Sequence, residues 1–144
     1  MVIRKANRED SEGIYRLEID TFSIPWSKEA IVKGFENTFA NYFIAEEDNQ
    51  IIGYIGVWKV LEEGQITNIA VHKDYRRRGI GKELIKTLMN FGREEKIEVF
   101  LLEVRKSNEA AKKLYEQMGF THLGIRKNYY QKPTEDAVLM EMRI

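Results

Sequence analysis

Two stretches of this chain carry residues suited to chemistry. The first is Arg76-Arg77-Arg78-Gly79-Ile80-Gly81-Lys82. Glycines leave backbone N–H groups open to a ligand, and a helix starting there adds about half a positive charge. Arg76, Arg77, Arg78 and Lys82 add full charges, so the stretch suits a phosphate or pyrophosphate. On spacing alone, a tight turn with a solvated basic run explains it at least as well. A P-loop is excluded, because Arg76 stands where that motif needs glycine and Glu83 follows Lys82. A Rossmann fingerprint is excluded because Leu84 occupies its third small-residue position. The second stretch is Val99–Val104, an apolar run interrupted by one acid, Glu103. A carboxylate among apolar neighbours is suited to taking a proton near neutrality. The opposing reading has Glu103 facing solvent or paired with Arg105. Tyr115 lies seven residues after Asn108, two turns along the same helix face, so both can address one site. Its phenol could protonate a leaving group, or be a core tyrosine beside Leu114 and Met118. Asn108 also reads as a helix N-cap.

These residues must be positioned by the elements around them. Val2–Ala6 reads as a strand, and Asn7-Arg8-Glu9-Asp10 has capping-box spacing before a helix with Ile14 and Leu17 inward. Ile24-Pro25-Trp26 interrupts it, and Ser27 caps a second helix bearing Ala30, Ile31, Gly34 and Phe35 on one face. Tyr42–Glu46, Ile51–Leu61 and Gln65–Val71 read as strands, with turns at Asp48-Asn49 and Glu62-Glu63-Gly64. A helix follows the glycines, striped by Ile80, Leu84, Ile85, Leu88 and Phe91. Strand Val99–Val104, helix Asn108–Met118 and strands Thr121–Ile125 and Ala137–Arg143 complete the order. The pattern predicts an α/β (α+β) domain over 1–144, with a mixed, mostly antiparallel sheet of about seven strands flanked by four helices. The segment from Gln65 to Val104 predicts a right-handed crossover between parallel strands.

Composition narrows the function. The 144 residues include 23 Lys+Arg and 23 Asp+Glu, giving zero net charge. That balance opposes a nucleic-acid coat or membrane-surface protein. Cysteine is absent, which excludes disulfides, thiolate metal sites and a cysteine nucleophile. Only His72 and His122 remain as imidazole ligands, so no metal is expected and both read as structural. Zero cysteine and the lack of a long apolar run suggest a soluble, cytoplasmic chain.

Arg76-x-x-Gly79-x-Gly81, after a strand reading Asn68-Ile69-Ala70-Val71, resembles the acyl-CoA-binding motif of the Gcn5-related N-acetyltransferase superfamily. Leu114-Tyr115-Glu116-x-x-Gly119-Phe120 is similar to that superfamily's late helix and turn, and the order of elements matches from Ile3 to the C-terminus. Three further segments resemble the bacterial ribosomal-protein alanine N-acetyltransferases of the RimI type. They are Phe22–Ser27, Leu102–Ala111, and Arg126-Lys127-Asn128-Tyr129-Tyr130 followed by Glu135-Asp136-Ala137.

The resemblance implies acetyl-CoA as cosubstrate, held at Arg76, Arg77, Arg78, Gly79, Ile80, Gly81 and Lys82. Backbone groups of Ile69, Ala70 and Val71 would meet its pantetheine arm. It assigns the general base to Glu103 and the general acid to Tyr115, and places Asn108 and Tyr115 against the cofactor; Ser107 would then take over as helix cap. Trp26, Tyr129 and Tyr130, read as loop residues, would wall a groove for a protein N-terminus, or simply pack their loops. Glu135 and Asp136 would attract a basic peptide or be solvated. The implied reaction is acetylation of a ribosomal protein's N-terminal alanine by direct attack, since no cysteine can carry an acyl intermediate. Another acceptor amine keeps the same chemistry. A non-catalytic CoA-binding module is a separate class, opposed by the presence of both Glu103 and Tyr115.

Overall fold

In the computed structural model, which describes residues 1–144, the chain runs β1 (Val2–Lys5), α1 (Ser11–Thr21), α2 (Lys28–Gly34), β2 (Ala40–Glu47), β3 (Gln50–Val60), β4 (Glu63–Val71), α3 (Ile80–Glu94), β5 (Val99–Arg105), α4 (Glu109–Gln117), β6 (Thr121–Tyr130) and β7 (Glu135–Arg143). The local signals explain most of these boundaries. Asn7 and Asp10 close a reciprocal capping box around one 3-10 turn that leads into α1. Ser27 Oγ accepts from the Ala30 N–H and starts α2. Asp48 and Asn49 both take positive φ, the geometry of a two-residue hairpin turn between β2 and β3.

All seven strands form one sheet in the order β1-β2-β3-β4-β5-β7-β6. Every neighbouring pair is antiparallel except β4 and β5, which are parallel as the α3 crossover requires. Alternation along the strands divides the core. Phe43, Ile55, Val57, Phe100, Leu102 and Met140 pack with Ile80, Leu84, Ile85 and Leu88 of α3. Tyr42, Ile44, Tyr54 and Ala70 pack on the opposite face with Ile14 and Leu17 of α1 and Ile31 of α2. No helix is long and apolar enough to cross a membrane.

Three expectations need correction. Glu63 and Gly64 are strand rather than turn, because they pair with both β3 and β5; the turn sits at Leu61-Glu62. Gly64 is required there, since a Cβ would stand 2.7 Å from the Phe100 ring. On α2 only Ile31 is buried, and Ala30 is exposed. Finally, β6 continues past Ile125 to Tyr130, so Tyr129 and Tyr130 belong to a strand end and not to a loop. The sequence there looks irregular because the pairing is irregular. The register jumps from Arg126↔Ala137 to Tyr130↔Glu135, with Asn128 at φ +52° inside the bulge.

Candidate active site

The parallel pair opens the sheet. β4 and β5 pair only at Glu63↔Val99, Gly64↔Phe100 and Gln65↔Leu101, and beyond that the strands part. A register shift against β3 leaves Thr67 as an extra residue two positions later, and such a bulge bends its strand away from the old line. The backbone groups facing the gap follow from alternation. His72 N–H donates to the Ile52 carbonyl at 2.7 Å, which turns residues 70 and 72 toward β3. Ile69 and Val71 therefore turn their N–H and C=O groups into the gap, and the Val71 carbonyl accepts from Arg76 Nε at 3.3 Å. Ala70 differs from the expectation: its backbone groups face β3 and its side chain is buried under α1.

Both strands deliver the chain to a helix at this end of the gap, as ligand crevices in α/β sheets commonly require. After β4, Arg77 and Gly79 take positive φ of 65° and 76°, and α3 begins with no side-chain cap on its first N–H groups. An uncapped helix start beside a glycine turn is an anion cradle. Arg76, Arg77, Arg78 and Lys82 are exposed around it, while the Ile80 side chain is buried in the core and can offer only its backbone. Arg78 lies over the Tyr75 ring and 3.7 Å from Glu47. Even a Cβ on Gly81 would stand 3.0 Å from Leu114 Cδ2. Gly81→Val is therefore expected to raise the acetyl-CoA KM about tenfold or more with the acceptor saturating. An unchanged KM would remove this cradle from cofactor binding.

At the other strand end, Glu103 lies on β5 opposite Leu139. Its side chain is 15% exposed and 4.0 Å from Arg126 Nε. Its Oε2 is enclosed and has no hydrogen-bond partner. Pairing with Arg105 does not occur, because Arg105 turns to Glu135 at 3.3 Å. Tyr129 and Tyr130 meet edge to face, 5.1 Å between ring centroids. The Glu103 carboxylate beside Tyr129 raises that phenol's pKa, and burial, with Glu103 adding to it, pushes Tyr130 to about 12. Tyr115 is 5% exposed on α4, and burial, with a contribution from Tyr130, holds its pKa above the ordinary phenol value. The structure thus gathers Glu103, Tyr115, Tyr129 and Tyr130 into one cluster, with the buried Tyr115 and half-buried Tyr130 phenols protonated at neutral pH.

Asn108, and not Ser107, caps α4: its Oδ1 accepts from the Ala111 N–H at 3.1 Å, a bond that leaves the amide nitrogen uncommitted. Glu135 and Asp136 are half-buried, and each is engaged by a nearby backbone N–H. Glu135 accepts from the Ser107 N–H at 2.7 Å, and Asp136 accepts from the Asn128 N–H at 2.9 Å. His72 caps the turn at Lys73–Tyr75, and His122 pairs with Glu116 at 3.1 Å. No group of three or more His, Cys, Asp or Glu side chains is placed to hold a metal.

Sequence reasoning missed Glu18. This α1 residue is wholly buried. Oε1 accepts from the Trp26 N–H at 2.8 Å, and Oε2 accepts from the Tyr54 hydroxyl and from Asn68 Nδ2 at 3.0 Å. Desolvation raises its pKa. One carboxylate therefore ties the segment between α1 and α2, where Trp26 lies, to the bulged part of β4. The available signal was positional. Ile14, Leu17 and Glu18 stand at i, i+3 and i+4, so an acid occupies a core position of the helix.

A strand pair split beside an uncapped helix start, with an acid and phenols across the gap, is the architecture of an acyl-CoA-dependent transferase. A sequence profile described as the acetyltransferase (GNAT) family matches residues 11–120. The chain belongs to this family of N-acetyltransferases, whose acyl donor is acetyl-CoA. A putative [ribosomal protein bS18]-alanine N-acetyltransferase of Bacillus subtilis is 37% identical over 143 residues, covering 99% of this chain and 95% of that protein. The [ribosomal protein bS18]-alanine N-acetyltransferase of Escherichia coli is 33% identical over 139 residues, covering 94% and 92%. The crystal structure of the Escherichia coli ribosomal-protein-S18-alanine N-acetyltransferase superposes with a TM-score of 0.92 at 31% identity, covering 99% of this chain and 93% of that one. The family resemblance read from Arg76–Gly81 holds, and so does the narrower one to the RimI type.

Proposed function

We propose that residues 1–144 act as one N-acetyltransferase domain in the cytoplasm. It moves an acetyl group from acetyl-CoA to the N-terminal α-amine, an alanine, of a small-subunit ribosomal protein. The observation that carries this reading is the gap between β4 and β5, with an enclosed Glu103 carboxylate oxygen that makes no hydrogen bond at the same opened strand end. The names of the relatives that match along nearly the whole chain support the acceptor.

Acetyl-CoA supplies the thioester. The exposed Arg76, Arg77, Arg78 and Lys82, with the N–H groups at Gly79, Ile80 and Gly81, hold its phosphates. Ile69 and Val71 hold its arm through their backbone, and the amide nitrogen of Asn108 reaches it from α4. Glu103 takes the proton from the acceptor amine, directly or through one water. Tyr115, protonated at neutral pH, gives its proton to the departing thiolate. Trp26, Tyr129 and Tyr130 wall the acceptor groove, and bringing the two substrates together supplies much of the rate. The base need not be strong. At pH 7 roughly a tenth of α-amines are already neutral, against less than about a thousandth of lysine side chains.

The test is mass spectrometry of a peptide with a free N-terminal alanine and an internal lysine, incubated with the protein and acetyl-CoA. An added acetyl group located at the α-amine is the expected result. Acetylation at the lysine would overturn the acceptor assignment. No acetylation and no acetyl-CoA binding would overturn the site.

A further inference from the structure

Arg105 lies two residues beyond Glu103 on the same face of β5, and its guanidinium bridges two separate loops. Nη2 donates to the Gln131 carbonyl at 2.7 Å and Nη1 to the Pro133 carbonyl at 2.9 Å, holding the turn between β6 and β7. Nη1 also pairs with Glu135 at 3.3 Å, and the guanidinium carbon sits 4.6 Å from the centroid of the Tyr130 ring. Across the opening, Nη2 reaches Ser23 Oγ at 3.4 Å, in the segment between α1 and α2 that also carries Trp26. These are the segments that would wall the acceptor groove. Five partners around one planar cation use its fork on two carbonyls and its flat face on a ring, which an ammonium group cannot reproduce.

We infer that Arg105 is a positioning residue for the acceptor. It fixes the β6–β7 turn and Tyr130 against the α1–α2 segment, so that the groove leading to Glu103 exists before the peptide arrives. The inference rests on the acceptor groove proposed above. A preformed groove lowers the ordering cost of binding, so its loss falls on acceptor affinity rather than on the chemical step. Arg105 is partly exposed and its partners are mostly loop atoms, so the two-sided core does not depend on it.

Steady-state kinetics with acetyl-CoA and an N-terminal-alanine peptide test this. Arg105→Lys is expected to raise the acceptor KM about tenfold, with kcat within about threefold and the acetyl-CoA KM unchanged. Ser23→Ala removes only the link across the opening and is expected to raise the acceptor KM about threefold. A fall in kcat at unchanged acceptor KM in Arg105→Lys would overturn the inference by placing Arg105 in the chemistry. So would a wild-type acceptor KM in Arg105→Lys or, should that variant not fold, in Ser23→Ala. If the wild-type protein acetylates no α-amine, the groove itself is wrong and the inference falls with it. If it does and both variants bind peptide normally, only the role of Arg105 falls.

Discussion

Glu103→Gln is expected to lower kcat by at least tenfold, and by up to the roughly 10² to 10⁴ that positioned acid–base groups supply. The substitution keeps the shape and removes the basicity. Oε2 has no hydrogen-bond partner to lose, the amide oxygen can still accept from the Tyr129 phenol, and the Arg126 contact at 4.0 Å is loose and largely exposed on the arginine side. The fold therefore has little reason to respond. The acetyl-CoA KM is expected to stay where it is, because the cradle lies on the β4–α3 turn and Glu103 on β5. Rising pH is expected to recover part of the loss, since a larger fraction of the acceptor amine is then neutral without help. Initial rates of CoA release across pH 6 to 9, by the usual thiol assay (roughly two units around the α-amine pKa), decide the matter. Unchanged kcat throughout would remove Glu103 from the mechanism.

Tyr115→Phe deletes one oxygen from a ring that is 5% exposed and packs edge to face with Phe120 at 5.8 Å. The packing survives, so the melting temperature is expected to hold within about 2 °C, the shift that half a kcal/mol or so gives at this size. The rate is not expected to hold. Burial keeps this phenol protonated at neutral pH, so its proton is in place for the departing thiolate; the same burial makes it a weaker acid, so it acts only as charge builds on the sulfur. We expect kcat to fall at least about tenfold, with the acceptor KM unchanged, the pattern of an interaction made in the transition state alone. Less effect should appear with an acyl donor whose leaving thiol is more acidic, because such a thiolate leaves without protonation. A variant with wild-type kcat would return Tyr115 to the core.

Both expectations rest on residues visible in the sequence as exceptions to a local pattern. Glu103 breaks an apolar strand, and Tyr115 stands two helical turns from Asn108. The glycines at the start of α3, the capping box at Asn7–Asp10 and the Ser27 cap were legible for the same reason. Each is decided by residues within one turn of one another, through backbone sterics and short hydrogen bonds. The two-layer core was legible too, since a period of two or of 3.6 names the buried face directly.

The order of elements, most of the core and the family to which they lead thus follow from local pattern. The relations between elements do not. The bulge at Thr67 and the parting of β4 from β5 depend on pairing partners far away along the chain. So does the turning of Ile69 and Val71, but not Ala70, toward the gap. β6 runs to Tyr130 because Glu135 lies opposite, and no local rule marks a strand whose register jumps. Glu135 and Asp136 looked like free surface charges until their partners, Ser107 and Asn128, were placed beside them. Glu18 and Arg105 carry the same lesson. A charged side chain reads as solvated wherever its partners are distant in sequence, and here those partners are Trp26, Tyr54 and Asn68 in one case, and Ser23, Gln131 and Pro133 in the other. Burial and pairing are properties of the assembled sheet and its loops, so the groups that hold the groove in shape become identifiable only when the strands that carry them have met.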